Sequence, residues 1–243
     1  MQNRTDRTHR TIRRGPMPTY DPASPLISLH VPKTGGSSLR EVLMAWFQDD
    51  LLLHYRDGSL LPDRHALRPG ICIHGHFNAA RQMGTRDFYP SVAQHIIFLR
   101  DPFDRFLSQW FYLNRRHHAG QTIPDLADDP TFDVWLHRRA AEQAERRNSY
   151  SMIWHLPLPP GAADLDRVFD RHFVFVGIME RYAASMAGLA AALGKPHVPV
   201  PHDNATERNA DLSQWRPVYE RLFTDECAIY HQAVAWNAAA TGA

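Results

Sequence analysis

Cysteine is scarce in this chain. Cys72 and Cys227 are the only two in 243 residues. That is too few for a disulfide framework and suits a reducing compartment. Cys72 falls in an apolar run and reads as a core residue. Long hydrophobic runs are also missing: no stretch approaches 18 consecutive apolar residues, and the N-terminus lacks the apolar core of a secretory signal. The expectation is therefore a protein without a membrane span, soluble and cytoplasmic. Net charge is nearly absent at +1 with histidines neutral, so the chain carries no footprint of a nucleic-acid binder, and any positive potential must be local. No internal repeat is visible.

What is present is enough apolar residue, 44%, to bury a full core in one domain. Residues 1–25 are rich in Arg, Thr and then Pro, and read as a flexible tail; residues 26–243 read as a single domain. The domain is organised around Leu26–Phe47. Leu26, Ile27, Leu29 and Val31 form a short apolar run suited to a strand covered on both faces, and Pro32 stops it. Lys33, Thr34, Gly35, Gly36, Ser37 and Ser38 then supply small residues, hydroxyl donors and a cation, which together make a phosphate cradle opening a helix. Leu39, Val42, Leu43, Trp46 and Phe47 recur at helical spacing as its buried stripe. A Walker loop places its lysine after the glycines; here Lys33 precedes them.

Further strands are expected at Ile71–His74, followed by Gly75, His76 and Phe77, at Gln94–Leu99, ended by Arg100, and at Phe173–Ile178. The Leu51-Leu52-Leu53 run is either strand or helix. Asp101 and Pro102 form a helix start, cap and first position, and Arg105, Ser108 and Tyr112 share one face of the helix that follows. Helices are also expected over Thr131–Arg147, over the stripe Tyr182 to Leu193 with Gly194 past its end, and over Leu212–Asn237. The pattern predicts a parallel α/β sheet flanked by helices, with KTGGSS, HGH and RDP at carboxyl strand ends, where ligands bind in such folds.

In this order and at these distances, HVPKTGGSSL, HGHF, IIFLRDPFDRFLSQWFYL and FVGIMERYAASM resemble the sulfotransferases. The likeness is nearest to the branch of the glycosaminoglycan 2-O-sulfotransferases and their bacterial relatives, and it runs from about Leu26 to beyond Leu193. The resemblance implies a three-layer, P-loop-kinase-like α/β fold. It also implies transfer of a sulfuryl group from 3′-phosphoadenosine 5′-phosphosulfate to an acceptor hydroxyl, by family analogy that of a glycan; tyrosine or a small alcohol is the alternative. On the same ground Lys33 stabilises the leaving group, while Thr34, Gly35, Gly36, Ser37 and Ser38 hold the phosphosulfate. Arg100 and Ser108 take the 3′-phosphate, His76 is the general base and His74 assists it.

Arg105 either supports the phosphate site or pairs with Asp101 or Asp104. A loop holding Asn204, Arg208 and Asn209 matches, loosely, one that closes over the donor, and Arg208 joins the donor contacts on that basis. Residues Arg146–Met152 are candidates for the acceptor cleft. Two histidines at i and i+2 also fit a metal pair, but no further ligand is spaced to complete it, and no metal is expected. The competing functions are a small-molecule kinase, which the position of Lys33 and the lack of a magnesium-holding carboxylate at a strand end oppose, and a non-catalytic nucleotide binder, which would need no base.

Overall fold

The computed structural model describes residues 17–57, 60–158, 167–199 and 210–242. The first apolar run forms β1 (Leu26–Leu29), the cradle residues turn the chain, and α1 (Gly36–Phe47) follows. The unsettled leucine run is a strand, β2 (Leu51–His54), and β3 (Cys72–Gly75) comes next. A one-turn helix α2 (Thr85–Phe88) leads to β4 (Gln94–Leu99) and the long α3 (Pro102–His118). Then come α4 (Phe132–Ala144), the short α5 (Val168–His172), β5 (Phe173–Ile178) and α6 (Tyr182–Leu193). The chain ends in α7 (Arg216–Leu222) and α8 (Thr224–Thr241).

The five strands lie in the order β2-β3-β1-β4-β5, every neighbouring pair parallel. All residues of β1, β3, β4 and β5 are buried, so helices or loops cover both faces, and this is why these strands read as unbroken apolar runs. The edge strand β2 is only half-buried, with Leu53 exposed. Leu39, Val42, Leu43, Trp46 and Phe47 of α1 pack into the sheet core. A second cluster, rich in aromatics, joins α3, α4 and α7 through Phe106, Trp110, Trp135, Tyr219 and Phe223. Among the described residues no helix is long and apolar enough to cross a membrane.

The structure departs from the sequence reading in two places. Residues 17–25 are tied to the domain: the Gln94 side chain donates to the carbonyls of Asp21 and Ser24 and accepts from the Asp21 amide, and Tyr20 packs on the core. The expected single helix over Leu212–Asn237 is broken at Phe223. There the backbone leaves helical geometry, with φ −120° and ψ 48°, and the buried ring stacks on Tyr219 at 4.5 Å.

Candidate active site

The carboxyl ends of β1, β3, β4 and β5 open onto one cavity of about 1240 Å³, the place where parallel α/β sheets hold ligands. Its floor is the turn after β1. Lys33 and Gly35 both adopt left-handed backbone, φ 71° and 74°. Gly35 is the N-cap of α1 and gives it no side-chain cap, so the first amides of the helix are left for a ligand. Gly36 is closed in: a Cβ there would stand 1.9 Å from Nε2 of His30. Lys33, Gly35, Gly36, Ser37 and Ser38 line the cavity. Thr34 does not; it is buried and donates its hydroxyl proton to the Val31 carbonyl at 2.8 Å, so its side chain is engaged in shaping the turn.

The cavity is electropositive although the chain is nearly neutral. Lys33, Arg56, Arg81, Arg100, Arg105 and Arg116 line it against two acids, Asp104 and Glu180. Both acids are engaged. Arg216 approaches Asp104 at 3.6 Å, while Glu180 accepts from the Asp101 amide and the Tyr230 hydroxyl. Lys33 lies with Nζ 4.4 Å from the centre of the Tyr112 ring, and burial, then Arg115 and Arg100, hold its pKa below the ordinary lysine value. A lining with more basic than acidic side chains favours an anionic ligand. Arg100 follows β4 directly and lines the cavity. Ser108 lies two turns further along α3, buried apart from the cavity surface.

Arg105 belongs elsewhere. Its guanidinium donates to Glu226 at 3.1 Å and to the Tyr150 carbonyl at 3.0 Å. The partners considered for it, Asp101 and Asp104, are taken by Arg216, and Asp101 also caps α3 by accepting from the Asp104 amide.

Four histidines gather beside the cradle. His76, just past β3, lines the cavity, and its Nε2 is buried without a hydrogen-bond partner. Burial first, then the Arg81 charge, lower its pKa to about 4, so at neutral pH it is an unprotonated base. His74 is fully buried within β3, away from the cavity lining, and shares a hydrogen bond with the Ser28 hydroxyl of β1 at 2.9 Å. Between it and His76 stand His30, whose ring lies 5.4 Å from that of His74 and 4.5 Å from that of His76, and Tyr55, which contacts both. His30 lines the cavity and is hydrogen-bonded through Nδ1 to the Tyr55 hydroxyl at 2.9 Å; burial and then the neighbouring histidines depress its pKa to about 2. His155 completes the group, buried with Nε2 3.3 Å from the Asn78 amide nitrogen. Among the described residues no group of three or more His, Cys, Asp or Glu is arranged to hold a metal ion.

Sequence reasoning passed over His30, Tyr55, Asn78, Arg81 and His155. Only His30 carried a signal, as the residue between a buried strand and the anion turn; the others sit on irregular segments whose path no periodicity reports. Of the candidate acceptor segment, Ser149 and Tyr150 line the cavity, whereas Arg146 and Arg147 are exposed outside it. Arg208, with Asn204 and Asn209, lies outside the described residues.

The sheet order and the glycine turn after β1 together define a P-loop-like parallel α/β fold, with the lysine on the opposite side of the glycines from a Walker loop. The particular lineage follows from the whole chain: the model of the sulfotransferase family matches residues 18–230, and the chain belongs to that family. No curated protein sequence matches it. Among solved structures it is similar to mouse sulfotransferase SULT7A1 complexed with PAP, at 16% identity and a TM-score of 0.44, covering 84% of this chain. The chain spans 66% of the length of that protein.

Proposed function

We propose that this protein transfers a sulfuryl group from 3′-phosphoadenosine 5′-phosphosulfate to an acceptor hydroxyl, with a glycan as acceptor by analogy with the glycosaminoglycan 2-O-sulfotransferase branch. The observation that carries the proposal is the pairing, in one cavity, of an anion turn led by Lys33 with the neutral, unpartnered Nε2 of His76. A kinase reading has no comparable support in a member of this family.

In the scheme the phosphosulfate lies on the Gly35 and Gly36 amides and the Ser37 and Ser38 hydroxyls, and Arg100 and Ser108 take the 3′-phosphate, where the guanidinium fork suits two parallel bonds. The acceptor oxygen attacks sulfur while His76 Nε2 takes its proton. The bond from sulfur to the bridging oxygen breaks, and Lys33 neutralises the charge that grows there. The scheme calls on no metal ion. Burial, then Arg81, hold the His76 pKa near 4, and the negative charge of the donor acts against the Arg81 contribution and raises its basicity.

The test begins with labelled donor and a panel of glycans, peptides and phenols, the product being read by mass. With the acceptor in hand, His76→Ala should lower kcat by roughly 10²–10⁴ and leave binding of adenosine 3′,5′-bisphosphate intact by calorimetry. Lys33→Ala should cost roughly 10²–10³ in kcat, and Arg100→Ala should weaken the bisphosphate. Unchanged turnover in His76→Ala sinks the base assignment; a wild-type protein that does not bind the bisphosphate sinks the donor.

A further inference from the structure

The cavity wall formed by Ser149, Tyr150 and His155 belongs to a segment, Asn148–His155, whose only regular structure is a single 3-10 turn, Met152–His155. Irregular chain is normally exposed, yet Asn148, Ser151, Met152 and His155 are all buried. A carboxylate holds two of them, Ser151 and Met152. Glu226, in the first turn of α8 and 1% exposed, accepts at Oε1 from the Met152 amide at 2.8 Å and from the Ser151 hydroxyl. Its Oε2 accepts from Nη2 of Arg105, and the same nitrogen donates to the Tyr150 carbonyl.

Both charged side chains are almost wholly buried, 6% and 2% exposed. Burying an ion pair is a poor route to stability, because each ion loses its hydration. What the pair does achieve is register. Arg105 stands on α3 between Arg100 and Ser108, and one turn from the latter. On its far side the same segment is bonded to the loop of the base: Asn78, two residues beyond His76, donates to the Ser149 carbonyl at 2.8 Å and lies against His155, and Arg81 donates to the Ser149 hydroxyl at 3.0 Å.

We infer that Arg105 and Glu226 are positioning residues that tie the wall Ser149–Tyr150–His155 to the donor helix, so that a bisphosphate held on Arg100 and Ser108 also fixes the wall against His76. Neither touches the reacting atoms. The inference rests on the donor assignment above; a phosphate on Arg100 and Ser108 restrains α3 on both sides of Arg105.

Hydrogen exchange with adenosine 3′,5′-bisphosphate as the probe tests this. In the wild-type protein the bisphosphate should slow exchange of the 150–155 amides. In Glu226→Gln, which loses charge-assisted bonds, these amides should exchange roughly ten- to a hundredfold faster and the slowing by ligand should vanish, with bisphosphate affinity by calorimetry held to within about twofold. With an acceptor identified, the same variant should raise its KM and lower kcat while the donor KM stays put. Unchanged exchange in 150–155, or a uniform rise through the sheet and every helix, overturns the inference. Failure of the wild-type protein to bind the bisphosphate overturns the donor assignment first, and the coupling with it. Should Glu226→Gln not fold, Ser151→Ala removes one of the carboxylate's donors and leaves the ion pair. Acceleration confined to 150–155 in that variant supports the inference, and none overturns it.

Discussion

Gly36 shows how a single position can be fixed by something a loop motif does not express. Glycines in an anion turn are usually assigned to backbone approach of the ligand, but at this one the neighbour is the chain's own His30 ring, 1.9 Å from where a methyl group would be. That ring cannot simply swing away, since its Nδ1 is bonded to Tyr55. Gly36→Ala should therefore cost about 1–3 kcal/mol as overpacking, lower Tm, and weaken bisphosphate binding by displacing the first turn of α1. A melt and a calorimetric titration indistinguishable from wild type would refute the close-contact account. The same residue scale separates what sequence could place from what it could not. Lys33, Ser37, Ser38, His76, Arg100 and Ser108 follow strand ends or share a capped helix face, so their entry into one cavity was readable. Thr34 and His74 turn inward, and that depends on strand register and turn geometry, which a motif does not carry.

At the scale of elements, α3 is the part most fully written in the sequence. Asp101 caps it, Pro102 opens it, and its apolar stripe docks on the aromatic cluster. Asp101 also receives Arg216 at 2.9 and 3.0 Å, which fastens α7 across the helix start. Losing a cap costs about 0.5–2 kcal/mol, so Asp101→Ala should lower stability by about 1–2 kcal/mol in urea unfolding. Arg216→Ala, which spares the cap, should cost less. Equal losses would show that the ion pair and not the cap carries the effect. The strands β1, β3, β4 and β5 were legible because burial on both faces writes a continuous apolar run. The edge strand β2, half-exposed and followed by polar chain, writes only three leucines, too short a run to tell strand from helix. The break between α7 and α8 was illegible for a different reason: Phe223 and Glu226 are both buried, so apolar and polar residues alike face inward there, and helical periodicity, which sorts residues by polarity, runs straight through the join.

For the molecule as a whole, the composition hid its own electrostatics. A net charge of +1 is an average over a cavity that gathers six cations and a surface that balances them. The 15 histidines look like solvated switches until the fold buries several of them uncharged. Burial is the largest cause of lowered pKa at His30, His74, His95 and His155, which fall to about 2, 3, 4 and 3. The unfolded chain keeps these groups near 6.5, so between that value and the folded pKa the unfolded state binds more protons, and protonation favours it. Stability is thus fully present above about pH 6.5 and is lost as pH falls. At pH 5 each well-buried histidine contributes a loss of about 1–2 kcal/mol, and mutual contacts make the combined loss differ from a simple sum. Urea unfolding at pH 7.5, 6 and 5 should show a midpoint that falls steadily, and replacing His95, far from the cavity lining, by Gln should flatten part of that fall without altering bisphosphate binding at pH 7.5. A midpoint independent of pH over this range would mean that these imidazoles are charged or solvated in the folded protein, and the neutral state assigned to His76 would lose its physical basis with them.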